Sequence, residues 1–350
     1  MRVLSLFDGI SCARVALSRT GIVDELLYRK NNQGLIYFAS EIDKNSIQIA
    51  QKNFPDTIQL GDVKTITKDL LSSYMGVVEI DLLIGGSPCQ DLSIAKRERK
   101  GLNGVRSGLF WEYVRILKEV KPKWFILENV NSMPKEAKDT ITKELGVEPI
   151  MINAALVSAQ NRKRLFWTNI PNVKLPDDRG IFLKDILEPK VDDSFTVKPK
   201  SNTVRSSGRG SGIDNKHNWD TIRIGTINKG GQGDRIYSPE GKSVGLSALG
   251  GGRGAKTGLY IIQTPRGKNK GGKRALNGKV PTLSSSSWEH NNKLSNDEII
   301  RKLTPIECER LQGLSDNYTA GVSNSQRYKM LGNAFNVDVV AHILEGIKTL

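Results

Sequence analysis

The sequence predicts an α/β protein: a doubly wound, Rossmann-like domain with a smaller, mostly β/loop domain. Three observations predict it. Up to residue 188, short apolar runs alternate with helical patterns, as parallel strands and crossover helices require. From about residue 190 the texture changes, and residues 191–300 hold 18 of the 34 glycines and +9 of the formal net charge of +15. After residue 300, helical spacing returns. A chain of 350 residues is long enough for two domains.

The elements follow in order. Val3-Leu4-Ser5-Leu6-Phe7 is a buried-strand run that breaks at Asp8-Gly9, before a helix carrying Val15, Ala16 and Leu17. Ile36 to Ser40 is the second strand, and the helix after it carries Ile47, Ile49 and Ala50. A third strand ends at Gly61-Asp62-Val63. Ile80 to Ile84 is a fourth, stopped by Gly85-Gly86, with an amphipathic helix at 111–120 after it. Trp124 to Leu127 is a fifth. In the glycine-rich segment, Ile222, Ile224, Ile227 and Leu259 to Ile262 supply a small core for short strands. Thr304-Pro305 is a helix start, with threonine as N-cap and proline at the first helical position. Val337 to Thr349 has helical apolar spacing.

Composition narrows the function. A sequence pI of about 9.6 favours a polyanionic partner. Three cysteines (Cys12, Cys89 and Cys308) are too few and too odd for a disulfide framework, which points to a reducing compartment. The histidines at 217, 290 and 342 are scattered, and neither CxxC nor HExxH spacing occurs, so no metal site is expected. No signal peptide or membrane span is legible. The expectation is a soluble, cytoplasmic protein.

Chemistry concentrates at the strand ends, where open α/β sheets bind ligands. Phe7-Asp8-Gly9-Ile10-Ser11 is a strand–turn–helix start that lets a ligand approach the backbone. Glu41, in Ser40-Glu41-Ile42-Asp43, stands where such folds hold a ribose hydroxyl, and Asp62 could accept from the exocyclic amine of adenine. Together they suit a nucleoside cofactor. Gly85-Gly86-Ser87-Pro88-Cys89-Gln90-Asp91-Leu92-Ser93 puts a cysteine in a polar loop, a poor place for packing and a good one for a nucleophile. Leu127-Glu128-Asn129-Val130 adds an acid at the same level. A buried carboxyl there could donate to a ring nitrogen. In a strand, Arg162 and Arg164 share one face and Lys163 takes the other, so two guanidiniums could hold a phosphate or carbonyl. Taken singly, each feature has a plainer reading: a turn glycine, a capping glutamate, a basic strand edge that deters aggregation.

The set and its order resemble the cytosine-5 DNA methyltransferase family. Ser87-Pro88-Cys89-Gln90 is similar to its nucleophile loop, Glu128-Asn129-Val130 to its Glu-Asn-Val motif, and Gln160-x-Arg162-x-Arg164 to its paired-arginine motif. Arg301-x-x-Thr304-x-x-Glu307-x-x-Arg310-x-Gln312-Gly313 resembles the stretch that follows its target-recognition region. Gln326 to Ala334 resembles the final motif. The likeness spans nearly the whole chain except about 190–300. The first motif departs from Phe-x-Gly-x-Gly, since Ser11 replaces the second glycine. This form, with Ser-Pro-Cys-x-Asp-Leu-Ser, resembles the branch of phage and bacterial enzymes and animal de novo methyltransferases.

The resemblance implies a Rossmann-like, S-adenosylmethionine (AdoMet)-dependent catalytic domain over 1–188 and 323–350, with a target-recognition domain over 189–322. It implies AdoMet at Phe7, Asp8, Gly9, Ile10, Ser11, Glu41, Ile42, Asp62, Val63, Pro88, Asn333 and Ala334, leaving S-adenosylhomocysteine as product. Cys89, Glu128, Arg162 and Arg164 would act on a cytosine flipped from double-stranded DNA, with Arg164 holding O2 and helping to anchor Glu128 and Arg162 supporting the loop and base. Gln90, Ser93, Lys96, Arg97 and Arg99 would close on the DNA as a glycine-hinged loop, against the plainer reading of a solvated charge run. Arg205, Arg209, Arg253, Lys268, Lys270 and Arg274 would contact phosphates or base edges. No metal is implied, and the expected state is a monomer, in a bacterium or a phage-infected host, serving restriction-modification or DNA protection. A tRNA-modifying relative with the same fold is the rival, but that group has Pro-Pro-Cys-Gln and no basic insert of this size. A protein that only binds DNA is a second rival, and it would have lost the nucleophile or the cofactor acids.

Overall fold

The computed structural model describes residues 1–22, 34–76, 79–88, 107–189 and 303–348, together with the strand stretches 223–226, 235–237, 243–244, 259–263 and 298–301. It divides into two units. Met1–Ala154, Lys163–Asp177 and Ala334–Leu350 form the first, and Ala155–Arg162 with Asp178–Asn333 the second.

The first unit is built on a seven-stranded sheet. Its strands are β1 (Arg2–Leu6), β2 (Ile36–Ser40), β3 (Ile58–Gln59), β4 (Leu82–Gly85), β5 (Trp124–Val130), β6 (Ile150–Asn153) and β8 (Lys163–Thr168), while β7 (Gln160–Asn161) belongs to the second unit. The spatial order is β3-β2-β1-β4-β5-β8-β6. Strands β1 to β5 run parallel, and β8 runs antiparallel to both β5 and β6. The order reverses direction between β1 and β4, the switch point where such sheets open a ligand crevice. Helices α1 (Cys12–Thr20), α2 (Lys44–Asn53), α3 (Lys68–Met75), α4 (Phe110–Val120) and α5 (Lys135–Leu145) occur between the strands.

Strands buried on both faces read as continuous apolar runs, and Leu4, Leu6, Phe38, Leu83, Leu127 and Trp167 are fully or almost fully buried. Each such side chain stabilises the fold by about 1.5–3 kcal/mol relative to exposure. Helix Val337–Glu345, N-capped by Asn336, packs on α1, and Arg19 pairs with Asp338 at 2.9 Å. That return sets Ala334 and Phe335 in the first unit.

Two sequence expectations need correction. Strand β5 runs on through Glu128, Asn129 and Val130, because β8 continues the ladder beside it (Glu128↔Phe166, Val130↔Arg164). Arg162 and Arg164 do not share one continuous strand. The chain changes partners at Arg162: β7 pairs with Ser243–Val244 of the second unit, whereas β8 pairs with β5 and β6. The alternation that would place both guanidiniums on one face is therefore interrupted.

The second unit contains β9 (Arg223–Thr226), β10 (Arg235–Tyr237), β11 (Ser243–Val244), β12 (Leu259–Gln263) and β13 (Glu298–Arg301), with a four-stranded sheet in the order β13-β12-β10-β9. Helix Pro305–Leu311 starts with a reciprocal capping box, in which Thr304 and Glu307 satisfy each other's backbone amides. Glu309 is fully buried and accepts from Asn317 N at 2.7 Å, Thr319 N at 2.8 Å and Arg327 at 2.7 Å.

Candidate active site

The turn after β1 has an unusual backbone. Phe7, Gly9 and Ser11 all take positive φ, at 58°, 62° and 60°. The left-handed region is free to glycine and costs other L-residues about 1–2 kcal/mol each. Ser11 thus adopts the conformation that glycine favours at the position where it replaces glycine. Its hydroxyl donates to Asp8 Oδ2 at 2.5 Å, and Tyr37 donates to Asp8 Oδ1 at 2.7 Å. Burial pushes the Asp8 carboxyl above its ordinary value, against the pull of these two hydrogen bonds. The turn is also stitched to β2: Asp8 N donates to Ser40 O at 3.0 Å and Gly9 N to Glu41 Oε2 at 2.9 Å.

The two strand-tip acids are held by their own loops. Glu41 Oε1 accepts from Ile42 N at 2.7 Å and Asp43 N at 2.8 Å. Asp62 Oδ1 accepts from Lys64 N at 3.0 Å, and Oδ2 has no partner among the described residues. Ionised carboxylate oxygens accept more than once, so both acids keep capacity for a ligand. Ile42 stands 71% exposed between them in sequence. Two acids and an exposed aliphatic side chain at adjacent strand tips fit a nucleoside with its hydroxyls and amine. Phe7 is half-buried, whereas the side chains of Ile10, Val63 and Ala334 are buried, so the backbones of those three are what a ligand could meet.

The next strand ends carry different chemistry. Glu128 Oε1 pairs with Arg164 Nε at 2.8 Å, with both side chains largely shielded from solvent. Glu128 Oε2 lies over Gly86, where an added Cβ would come within 3.2 Å of it and within 2.8 Å of Phe335. Only glycine leaves room for this approach. Asn129 Nδ2 donates to Ser87 Oγ at 3.1 Å, tying β5 to the loop that ends in Pro88.

Glu41, Asp62, Pro88, Glu128, Arg164 and the turn 7–11 therefore gather in one unit at one row of strand ends. Arg162 and Asn333 belong to the second unit. There Arg162 is buried and donates to Gly332 O at 3.3 Å, and Asn333 is exposed. Cys89, Gln90, Ser93, Lys96, Arg97, Arg99, Arg205, Arg209, Arg253, Lys268, Lys270 and Arg274 lie outside the described residues. Cys12 and Cys308 are buried and in no disulfide, and burial pushes the Cys308 thiol well up, with Glu307 and Glu309 adding to it. Neither is placed to act as a thiolate. Among the described residues no cluster of three metal-ligating side chains occurs, and no helix is long and apolar enough to cross a membrane.

Sequence reasoning missed several supports. Arg115 on α4 donates to the carbonyls of Ile66 (2.9 Å) and Val63 (3.2 Å), clasping the segment just after Asp62, and pairs with Glu112 and Glu119. The i, i+3 and i, i+4 acids were visible in sequence, but the carbonyl targets were not. Phe335 and the Ser87–Asn129 bond carried no sequence signal of their own.

The sheet order, with its reversed strand β8 and its switch point between β1 and β4, is that of a Rossmann-like α/β domain. The chain matches the C-5 cytosine-specific DNA methylase model over residues 1–349, and it belongs to that family. It is 28% identical over 365 residues to the type II methyltransferase M.HhaI of Haemophilus parahaemolyticus, covering 99% of this chain and 94% of that protein. It is 27% identical to the orphan methyltransferase M.SPRI of Bacillus phage SPR, covering 99% of this chain and 97% of that protein. The solved structure of the Entamoeba histolytica methyltransferase EhMeth superposes with a TM-score of 0.66 at 18% identity, covering 100% of this chain and 98% of that one, a likeness of fold.

Proposed function

We propose that this enzyme methylates C5 of cytosine within a specific sequence of double-stranded DNA, with Cys89 as covalent nucleophile and AdoMet as methyl donor. The observation that carries the reading is the shielded Glu128–Arg164 pair beside the Ser87-Pro88 loop that leads directly to Cys89. The family's relatives include type II and orphan phage methyltransferases, which supports a role in restriction-modification or DNA protection. AdoMet would be held by the turn 7–11, Glu41, Ile42 and Asp62, with Val63, Pro88, Asn333 and Ala334 completing the set. When bound, it supplies the electrophilic methyl group that C5 takes.

The protein's own groups do the rest. The target base must leave the stack, since its C6 is unreachable within a duplex. The Cys89 thiolate adds to C6, and negative charge develops on N3 and O2. Glu128 gives a proton to N3, while Arg164 fixes Glu128 and holds O2. Arg162 supports the loop and base in this reading. After C5 is methylated, its proton passes to water, the C–H electron pair restores the C5–C6 double bond, Cys89 leaves as thiolate, and the N3 proton returns to Glu128. Residues 189–322 form the target-recognition domain in this reading, with 1–188 and 323–350 as the catalytic domain. The basic residues from Arg205 to Arg274 contact DNA there, and Gln90 to Arg99 close over the site.

Incubation with AdoMet and duplex DNA containing 5-fluorocytosine tests the chemistry. Fluorine blocks loss of the C5 substituent, so a protein–DNA adduct that survives denaturation is expected. Cys89→Ala should give none. A Cys89→Ala enzyme that still methylates would overturn the mechanism. Bisulfite sequencing of DNA from expressing cells gives the target sequence, and transfer of labelled methyl to tRNA instead of duplex DNA would overturn the substrate.

A further inference from the structure

The turn between β1 and α1 raises a question that the cofactor reading leaves open. Ser11 holds a left-handed backbone without being glycine. Its own N-cap position is not what holds it, since its side chain makes no capping bond to α1. The hydroxyl instead points back to Asp8. Asp8 is only 5% exposed, and Tyr37, at 1%, reaches it from the middle of β2. Both carboxylate oxygens are thus engaged by the protein's own hydroxyls. Tyr37 is anchored in turn, paired with Val3 in the sheet and covered by the Arg14 guanidinium 5.3 Å from its ring centre.

We infer that Asp8 and Tyr37 are positioning residues for cofactor binding: through the Tyr37–Asp8–Ser11 chain of hydrogen bonds they lock the turn 7–11 in the left-handed form that a second glycine would otherwise permit. Asp8 then acts on the cofactor through the backbone it shapes, not through its carboxylate. The serine in place of glycine and the aspartate three residues before it are one device. This rests on the reading that the turn holds AdoMet.

The test compares variants by AdoMet KM, kcat and the Kd for S-adenosylhomocysteine measured by calorimetry. Tyr37→Phe removes one hydroxyl and keeps the ring. Loss of a hydrogen bond to a buried carboxylate should raise KM and Kd about tenfold, with kcat at saturating AdoMet within about twofold of wild type. Ser11→Ala keeps the Cβ in the left-handed region but loses the bond, whereas Ser11→Gly loses the bond and relieves the backbone. Ser11→Ala should therefore weaken binding several-fold more than Ser11→Gly. Asp8→Asn, which still accepts from Tyr37 and can donate to Ser11, should lose less than Asp8→Ala. Equal losses for the two Ser11 variants, or a Tyr37→Phe enzyme that binds like wild type or loses kcat as much as it gains KM, would overturn the inference. Wild-type protein that binds neither AdoMet nor S-adenosylhomocysteine would overturn the cofactor reading itself.

Discussion

The cofactor end and the base end of the same row of strand tips are built differently. At β1 to β3, each acid is held by backbone amides: Glu41 by Ile42 and Asp43 of its own loop and by Gly9 of the neighbouring turn, and Asp62 by Lys64. These bonds fix a carboxylate and leave acceptor capacity for a ligand's hydroxyl or amine. At β4 and β5, Glu128 is held by a cation from another strand, and its second oxygen hangs over a glycine. Binding groups can be fixed by neutral amides, because they never change charge. A group that must give and regain a proton needs a partner that balances its charge and an opening onto the reacting atom.

That contrast can be broken most directly at Glu128. Glu128→Gln keeps the shape and removes the proton donor, so kcat should fall about 10²- to 10⁴-fold, the range for a lost acid–base group. The Kd for S-adenosylhomocysteine should stay near wild type by calorimetry. If both parameters collapse together, the two ends are one cooperative site and the contrast is wrong. Gly86→Ala comes next. Its Cβ would sit 2.8 Å from Phe335 and 3.2 Å from Glu128 Oε2. Displacing the carboxylate by such an overlap should cost about 100-fold in kcat, and pre-steady-state kinetics should place the loss in the chemical step.

How much of this the sequence disclosed differs between the two ends as well. The strands β1, β2 and β4 were legible as short apolar runs, as strands buried on both faces are, and the glycines that follow β1 and β4 mark the ligand side. Glu41 was legible as an acid immediately after such a run, and Asp62 as an acid after the glycine that ends the third strand. The Glu128–Arg164 pair was implied only by the family resemblance and by no local pattern, because it depends on β8 running antiparallel beside β5. No local pattern reveals which strand a strand will pair with. The same non-local choice broke the expected Arg162–Arg164 alternation, where β7 turned to Ser243–Val244. The inward direction of the Asp8 carboxyl was not legible for the opposite reason: its turn reads as a loop whose backbone a ligand approaches, and only the fold shows that Tyr37 draws the side chain inward. In the second unit, β12 coincides with the apolar run 259–262, while the capping box at Thr304 and Glu307 was half legible from Thr304-Pro305.

The cofactor end offers smaller, graded effects. Glu41→Ala deletes an acceptor for a ligand hydroxyl and also frees the amide of Gly9, so the KM for AdoMet should rise about 30-fold, with most of the rate recovered at saturation. Arg115 gives the smallest effect and the sharpest one. Its guanidinium is about one-third exposed and clasps the carbonyls of Val63 and Ile66. Arg115→Lys keeps a charge for Glu112 and Glu119 but cannot span both carbonyls, because an ammonium lacks the fork of a guanidinium. A loosened Asp62 segment should raise the AdoMet KM about threefold, a shift of well under 1 kcal/mol, and leave kcat unchanged. An effect on kcat instead would mean that the adenine end and the base end are coupled through α4, and that loop-held acids at one end are not independent of the ion pair at the other.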